Sequence, residues 1–509
     1  MKRITALFLM LILLVSLVGC ATEEKPYIPT GDALDDWTGS TVAPPVQKEQ
    51  QLSLIYYPDR SMNPFTCTDF TNRAIFPLLY QSLFSVNRSY EVTPILCDRY
   101  SVTPDMRTYT FYPVAATFSD GSSLTPADVV ASLLAAKAGG YYAGRFTHIT
   151  GITATADAVV ITLDTPMSDL PMLLDIPIVP ANQVDADNPI GTGPYVIDTS
   201  LGGKRLRRSS LWWCKSDLVV TAAYIPLLEG TSPSQIRDRF EFSDLGLVCA
   251  DPGSDTYADY RCDYELWDIE NGVFLYLGFH SKSKVFTTDE LRSAVTYAID
   301  REYLVETFYR GFARSATLPA SPLSPYYDAT MAERYRYNST KLTDALTAAN
   351  LQGAPVTLLL NSDDSLRLRA GRSIADMLRT CGLEVTIQEV NSAEFKKQLK
   401  SGEYDLYLGQ TRLSANMDLS AFFTKNGSLN YGGLADTTAY AMCLEALANK
   451  GNYYNLHKEV MDRGLLCPIL FRSYAIYATR GLVTQLNPAR DNMFYYSIGK
   501  TMADVKIDP

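Results

Sequence analysis

The sequence predicts an α/β fold, and two observations carry the prediction. Between residues 355 and 409 the hydrophobic periodicity switches regularly between strand alternation and the wider spacing of a helix. Strands separated by helices at this spacing predict βαβ units and a parallel sheet. The composition is also that of a globular protein, since 47% of the 509 residues are hydrophobic and 20% are charged. The predicted units comprise strands at 356–360, 383–390 and 404–408 and helices at 364–380 and 392–400.

Local patterns predict the other elements in chain order. Thr125 has the position of a helix N-cap, with Pro126 at the first helical position and Asp128 at the third. Further helices are predicted at 74–84, 440–449 and 454–465, and strands at 52–57, 109–112, 158–163, 195–197, 273–279 and 468–478.

A long helix is predicted after the strand at 273–279. Thr287 and Glu290 have the spacing of a capping box, and an apolar stripe behind them continues to Gly311. Asp300 and Arg301 fall within this stripe region, and we expect them to form an exposed ion pair rather than an acid/base site.

The N-terminus predicts export. Lys2 and Arg3 precede an apolar run at 6–18, and small residues follow, as in a signal peptide. The run is short for the roughly 20 residues that a bilayer requires, which disfavours the alternative of a signal anchor. Residues 17–20, Leu-Val-Gly-Cys, resemble a bacterial lipobox, which implies that residues 1–20 form a signal peptide and that Cys20 is lipid-modified. Residues 21–51 are rich in Pro, Glu, Asp and Thr and predict a flexible tether.

Charge, cysteine and histidine content limit the function. A net charge of -11 disfavours a nucleic-acid partner, and the basic run 204–208 is expected to be a solvated strand edge. Of the eight cysteines after Cys20, Cys249 and Cys262 flank a short loop and are the first candidates for a disulfide. The three histidines, at 148, 280 and 457, are too far apart to indicate a metal site, and no cofactor is predicted.

The sequence does not support an enzyme. It contains no GxSxG, HExxH or Walker motif. Ser281 and Lys284 have the Ser-x-x-Lys spacing, but the companion elements of such serine enzymes are absent. A secreted hydrolase with another site therefore stays open without support.

Three segments resemble one protein family. They are Ile-Gly-Thr-Gly-Pro-Tyr at 190–195, the helix Leu-Arg-Ser-Ala-Val-Thr-Tyr-Ala-Ile-Asp-Arg at 291–301, and the Asp-Gly turn with its helix start at 118–129. All three are similar to segments of the extracellular solute-binding proteins, family 5, which serve ABC importers of the oligopeptide, dipeptide and nickel type. The glycine pair at 191 and 193 does not make a nucleotide loop, because Pro194 follows and the third glycine is missing.

The resemblance implies a bilobal fold of the type II periplasmic-binding-protein class. Lobe I would comprise 52–275 plus 471–509, with a sublobe at 71–189, and lobe II would comprise 276–470. Strands at 273–279 and 471–478 would cross between the lobes. The implied protein is a monomer that is anchored by lipid to a bacterial cell membrane, faces the outside or the periplasm, and delivers its ligand to permease subunits.

The segment that binds the peptide amine in the family departs from its usual pattern. Peptide-binding members have Trp-x-Ala-Asp-Tyr followed by Asp-Pro, whereas this chain has 409–419, and the amine-binding aspartate falls at Ser414 or Ala415. Arg412 is new there and could bind a ligand carboxylate, although an inter-lobe ion pair or a solvated side chain is an equal alternative. Asp418 keeps the later acid, either as a ligand contact or as a helix cap.

The remaining candidate contacts are Asn430, Tyr431, Tyr56 and Tyr57. Asn430 and Tyr431 match the family's Asn-Tyr-Gly-Gly loop near the cleft. Tyr56 and Tyr57 end the first strand and could form the floor of the cleft, although aromatic residues there can equally belong to the core. The predicted function is capture and delivery of a solute, a peptide in the first place. The alternatives are a non-peptide solute, an envelope structural or signalling lipoprotein, and a hydrolase.

Overall fold

A computed structural model describes residues 52–214, 222–252, 260–483, 486–490, 492–493, 495 and 506–508. The predicted signal peptide, Cys20 and the predicted tether lie outside these residues. The strands are β1 (Leu54–Tyr56), β2 (Phe84–Val86), β3 (Val92–Pro94), β4 (Cys97–Val102), β5 (Thr108–Pro113), β6 (Ile149–Ala154), β7 (Val159–Leu163), β8 (Tyr195–Asp198), β9 (Arg205–Arg208), β10 (Tyr224–Glu229), β11 (Leu247–Ala250), β12 (Glu265–Phe279), β13 (Ala313–Ser315), β14 (Pro355–Asn361), β15 (Glu384–Val390), β16 (Leu406–Arg412), β17 (Cys467–Ala478) and β18 (Lys506–Asp508).

The α-helices of the described residues are α1 (Phe70–Arg73), α2 (Phe76–Leu79), α3 (Pro126–Ala138), α4 (Pro233–Glu241), α5 (Asp289–Ala298), α6 (Arg301–Tyr309), α7 (Ala329–Ala332), α8 (Thr340–Ala348), α9 (Ser365–Thr380), α10 (Ser392–Ser401), α11 (Ser420–Phe423), α12 (Thr437–Ala448) and α13 (Tyr453–Asp462). Short 3-10 helices lie at Ala143–Phe146, Leu170–Leu173, Ala181–Gln183, Glu333–Tyr335 and Lys450–Asn452.

Four sheets organise the described chain. A four-stranded sheet has the order β1-β10-β9-β8, a five-stranded sheet has the order β18-β4-β5-β7-β6, and β2 pairs with β3. A seven-stranded sheet has the order β11-β17-β12-β16-β14-β15, with β13 also paired to β17. Within it β14 runs parallel to both β15 and β16, as the strand and helix alternation predicts. The predicted α/β class is confirmed.

The glycines of the 190–195 segment permit a close approach to another part of the chain. A Cβ on Gly193 would lie 2.5 Å from the carbonyl carbon of Leu79, and one on Gly191 would lie 2.1 Å from the oxygen of Leu79. The Gly193 N–H instead donates to Leu79 O at 3.0 Å. The segment therefore needs glycine because it lies directly against the C-terminal end of α2, and β8 follows at once.

Two long strands, β12 and β17, pair antiparallel from Glu265 opposite Ala478 to Leu277 opposite Cys467. The pairing is interrupted between Glu270 and Phe274 by a bulge. Within the bulge Gly272 has φ 72°, and its carbonyl accepts from the Leu413 N–H at 3.0 Å. Bulges bend the strand that carries them, so this one sets the direction of β12 at a single place. The lobe boundaries themselves stay predictions.

The predicted helix at 291–311 is two helices, because the chain leaves helical geometry at Ile299 and Asp300 caps α6. The N-cap of α5 is Thr288 rather than Thr287. The expected exposed pair is also wrong, since Arg301 is 3% exposed. Its guanidinium donates to the carbonyl oxygens of Ala316, Pro468, Thr296 and Ile299, so it joins α5 and α6 to β17.

Three other local predictions need correction. The helix expected at 74–84 is the single turn α2, and Phe84 already begins β2. The basic run 204–208 forms β9, an interior strand of its sheet and not an edge. Cys249 and Cys262 are both free thiols, because Cys249 is buried in the core next to β1 and Ile269 whereas Cys262 packs against the separate cluster around Phe240.

Candidate functional site

One face of the seven-stranded sheet carries a cluster of charged side chains at the place where β12 bulges. Arg472 on β17 is its centre. Its guanidinium donates to Gln410 Oε1 on β16 at 3.3 Å, to Asp364 Oδ2 at 3.4 Å and to Asp251 Oδ1 at 3.3 Å. Asp364 caps α9, and Asp251 follows β11 directly. Arg472 therefore connects the predicted lobe I, through Asp251, to the predicted lobe II, through Asp364.

Electrostatics keep Arg472 charged although it is buried. Burial alone would lower the pKa of Arg472, but the carboxylates of Asp251 and Asp364 raise it above its ordinary value. Two carboxylates and one guanidinium would leave a negative site, and a second arginine, Arg367, stands beside them. Its Nε lies 4.0 Å from Asp364 Oδ2. The cluster is therefore close to neutral.

Arg367 and Tyr309 are the side chains of this cluster with unused hydrogen-bonding capacity. Arg367 is 8% exposed, and its Nε has no hydrogen-bond partner among the described residues. Burial lowers the pKa of Arg367, while Asp364 opposes that change. Tyr309 is 3% exposed, its hydroxyl also lacks a described partner, and the charges of Arg472, Asp364 and Arg367 act on it. We name Asp251, Tyr309, Asp364, Arg367, Gln410 and Arg472 the arginine cluster.

A cavity of about 290 Å³ adjoins the arginine cluster, since Asp251 belongs to its wall. Its aromatic wall contains Phe70 and Tyr474, whose rings stack at 3.9 Å between centroids, together with Tyr57 and Tyr260. Such a volume is close to the lower end of small-molecule sites, which begin near 300 Å³. Of the arginine cluster, Asp251 is the residue that lines this cavity, so the two meet at that side chain.

Arg412 lies at the same end of the sheet, and its contacts are within the protein. Its guanidinium donates to Asn271 O in the β12 bulge and lies over the ring of Tyr141, 4.6 Å from the centroid. Arg73 stacks on the same ring at 3.5 Å. Tyr141 belongs to the predicted sublobe, so the guanidinium of Arg412 contacts that segment by an aromatic stack, whereas the alternative names an ion pair. Its role as a ligand contact stays a prediction.

Asp418 makes both a local contact and a contact with the predicted sublobe. Its Oδ1 accepts from the Ser420 N–H at 2.8 Å at the start of α11, which fits a helix-start role. Its Oδ2 lies 3.3 Å from His148 Nε2, and His148 Nδ1 lies 2.9 Å from Asp164 Oδ1. Burial alone would lower the pKa of His148, but these two carboxylates raise it. His148 thus links the two parts of the chain.

Two of the other predicted contacts, Asn430 and Tyr431, lie on the loop after α11. Asn430 donates to Thr424 O at 2.9 Å within its own loop. Tyr431 packs edge-on against Tyr407, which is opposite Gly278, six positions along β12 from Gly272.

The two tyrosines of the first strand behave differently from each other. Tyr56 is fully buried, and its hydroxyl donates to Glu229 Oε1 at 2.8 Å, so it belongs to the core. Tyr57 lines the cavity, and the Asn72 side chain fixes its backbone N–H and carbonyl at 2.8 and 3.0 Å. Tyr56 therefore lies in the core and Tyr57 lines the cavity, and their role as the floor of a cleft stays a prediction.

Comparison with known proteins identifies the family. The model of the bacterial extracellular solute-binding proteins, family 5 (middle region), matches residues 91–432, which is more than half of the chain. The chain belongs to this family. Members of the family are extracellular binding proteins of ABC importers, and the prediction made from the three sequence segments is confirmed. No helix among the described residues is long and apolar enough to cross a membrane.

Individual relatives of this family 5 protein are distant in sequence. The glutathione-binding protein GsiB of Escherichia coli strain K12 is 23% identical over 393 residues, which cover 70% of this chain and 74% of GsiB. The structure of HbpA2 from Haemophilus parasuis superposes with a TM-score of 0.72 at 17% identity and covers 89% of this chain and 100% of HbpA2.

A third similar structure contains a ligand. The oligopeptide-binding protein AppA of Bacillus subtilis, in complex with a nonapeptide, has a TM-score of 0.61 at 18% identity and covers 88% of this chain and 99% of AppA. At these identities the similarity shows the fold, which is that of the type II periplasmic binding proteins. GsiB and AppA are named as binding proteins, which fits a non-enzyme.

Sequence reasoning missed the arginine cluster in this family 5 protein. One signal was available for Arg367, because it interrupts the buried stripe of α9, where Leu366, Ala370 and Ile374 are fully or nearly fully buried. A charged residue in such a stripe is rarely fully buried without a partner or a role. Arg472 had no comparable signal, since a strand sequence does not indicate which carboxylates lie opposite it.

Proposed function

We propose that this family 5 protein captures a solute that bears a carboxylate, a peptide in the first place, and delivers it to an ABC importer. The observation that carries the proposal is that the buried Nε of Arg367 and the buried hydroxyl of Tyr309, two side chains that interact electrostatically, both lack a hydrogen-bond partner among the described residues. An arginine presents a planar set of donors that matches a carboxylate, and a phenol can add a further donor to the same anion. A bound carboxylate would accept a hydrogen bond from each of these two side chains.

Peptides are the solute class that two relatives support. GsiB is named for glutathione, and AppA was solved with a nonapeptide. Both of these ligands carry carboxylates. The usual amine-binding aspartate is absent here, since Ser414 and Ala415 occupy the matching positions. A non-peptide carboxylate is therefore the second candidate ligand.

Closure of two lobes is the proposed mechanism of capture. Lobe I would comprise 52–275 plus 471–509, including the sublobe 71–189, and lobe II would comprise 276–470. The bulge at residues 271–273 supports a hinge near the proposed boundary, since Gly272 has a left-handed φ of 72° and interrupts the ladder between β12 and β17. Hinges are commonly a few residues that absorb a change in backbone angles.

The mature protein would be a lipid-anchored monomer. Cleavage before Cys20 and lipidation of its thiol would attach the protein to the outer face of the cell membrane, or place it in the periplasm of a cell with two membranes. The tether at 21–51 would extend roughly 30 Å as a flexible coil and allow the binding region to reach a permease.

Thermal unfolding of the purified protein with tripeptides tests the proposal. A ligand at a hundred times its Kd adds about 2.7 kcal/mol to the free energy of unfolding. We expect peptides with a free C-terminus to raise Tm and their C-terminally amidated forms to raise it much less. Arg367→Met should remove the shift, and Arg369→Met, an exposed change on the same helix, should keep it.

Other outcomes separate the alternatives. Shifts with small non-peptide carboxylates alone would favour the second ligand class. If no carboxylate raises Tm, a structural or signalling lipoprotein becomes the better description. If Arg412→Ala or Asp418→Ala also removes the shift, the site extends to the predicted contacts.

A further inference from the structure

The cavity beside the arginine cluster has its own electrostatic character. Two carboxylates line it, those of Asp69 and Asp251, and one cation, Arg237. Arg237 is already paired with Asp238 at 3.0 Å, and Asp251 is paired with Arg472 at 3.3 Å. No described cation lies within ion-pair distance of Asp69. Of the three charged side chains in the cavity wall, Asp69 is therefore the one that has no partner of opposite charge among the described residues.

The contacts of Asp69 leave it able to accept further hydrogen bonds. It caps α1, where its Oδ1 accepts from the Asn72 N–H at 3.1 Å, and the described chain gives its other oxygen no donor. Its negative charge also acts on the cavity wall. Burial raises the pKa of Tyr57, and the charge of Asp69 raises it further. The Tyr57 hydroxyl thus stays protonated at neutral pH. It can donate a hydrogen bond, but as a neutral group it does not neutralise the charge of Asp69.

The remaining wall suits an alkyl chain that ends in a cation. Phe70, Tyr474, Tyr57 and Tyr260 supply aromatic rings, and Ile236 and Val248 supply aliphatic surface. Aromatic faces attract ammonium and guanidinium groups, and the stems of lysine and arginine side chains pack well on apolar surface. An anionic group would instead meet the uncompensated carboxylate of Asp69.

We infer that the cavity is a specificity pocket for a cationic side chain of the solute, a lysine or arginine side chain, with Asp69 as its charge partner. The inference rests on the proposed function and deepens it. Asp251 lies in the cavity wall and in the arginine cluster, so the two sites are contiguous. One ligand can therefore place a carboxylate at Arg367 and a cation at Asp69. The preferred ligand is a peptide with a basic residue.

The test compares N-acetyl-Ala-Lys-Ala with N-acetyl-Ala-norleucine-Ala, measured by calorimetry on the full chain. Both peptides have a free C-terminal carboxylate and a blocked amine, so they differ only in the side-chain ammonium. We expect the lysine peptide to bind about tenfold more tightly, as for one additional charge-assisted hydrogen bond.

Two variants locate the effect. Asp69→Asn keeps a good N-cap on α1 but removes the charge, and it should reduce the lysine preference below about threefold. Asp328→Asn is the matched control, because Asp328 caps the equally short α7 away from the cavity. It should leave the preference intact. High salt should also weaken the preference of the unmodified protein.

The outcomes distinguish this inference from the proposed function. Equal affinity for the two peptides would overturn the cationic pocket and leave the carboxylate site standing. A lysine preference that survives Asp69→Asn would also overturn it. Binding of neither peptide, with no shift from any other carboxylate, would overturn both.

Discussion

Replacement of Arg367 by Met should increase the stability of the ligand-free protein. The side chain is 8% exposed, its nearest carboxylate oxygen is 4.0 Å from Nε, and that nitrogen has no hydrogen-bond partner in the described chain. The guanidinium is thus desolvated with little compensation. Asp364 would not be left alone, since Arg472 and the N-terminal turn of α9 still contact it.

The expected change in the free energy of unfolding follows from known replacements of buried charged side chains by apolar ones. Replacing a poorly compensated buried charge by an apolar side chain of similar length is neutral or stabilising by about 1–4 kcal/mol. We expect about 1 kcal/mol, because Asp364 supplies part of the compensation. In a chain of this size the Tm increase would be only about 1–2 °C. Affinity for a carboxylate ligand should fall by about 30-fold or more, as when one partner of a buried charge pair is removed.

Chemical denaturation without ligand and calorimetry with ligand measure the two effects. Arg369→Met is the control on the exposed side of α9, and it should change neither quantity. The reasoning is wrong if Arg367→Met lowers the free energy of unfolding by more than about 2 kcal/mol relative to the control. Such a loss would mean that the guanidinium stabilises the fold and is not kept for a ligand.

Three further outcomes are expected. The pKa of His148 is raised above its ordinary 6.5, so the stability that its contact with Asp418 provides is present in mildly acidic solution and is lost as pH rises above 6.5. His148→Gln should flatten this dependence of Tm between pH 5.5 and 8, and an unchanged slope would refute the role of His148. Gly193→Ala would place a Cβ 2.5 Å from Leu79 and should lower Tm by several degrees or abolish soluble expression, whereas a neutral result would refute the close packing. Arg301→Met leaves carbonyl oxygens unsatisfied and should cost about 3 kcal/mol or more in denaturant unfolding, in contrast to the stabilising change expected at position 367.

Local sequence was sufficient for elements whose cause is local. The N-cap at Thr125 and the strand and helix alternation after residue 355 were both predicted at the correct place. Each depends on residues within one or two turns of the chain. The break between α5 and α6 was missed, because Ile299 continues the apolar stripe in the sequence. The guanidinium of Arg301 donates to carbonyl oxygens of distant segments, and the sequence does not show these contacts.

The site was harder to predict for the same reason. Arg412 was predicted from the family's amine-binding segment and Tyr57 from its place at the end of the first strand, and the structure places Arg412 over Tyr141 and Tyr57 in the cavity wall. Arg367 and Arg472 were not found, since Asp364 and Arg472 are 108 residues apart and only the folded sheet brings Arg472 to both Asp364 and Asp251. Asn430 and Tyr431 were placed by family resemblance alone, and their contacts remain within or beside their own loop.

If the proposed lobes close about the bulge at residues 271–273, the position of that pivot fixes how far each part of the molecule travels. A rotation confined to that pivot displaces each atom in proportion to its distance from it. Leu201, 75% exposed at the tip of the β8–β9 hairpin, and Lys397, with a side chain 73% exposed on α10, lie on opposite sides of the proposed pivot. Fluorophores at these two positions would therefore amplify a small change in backbone angle into a readable change in energy transfer, and the protein would report optically on its own ligand.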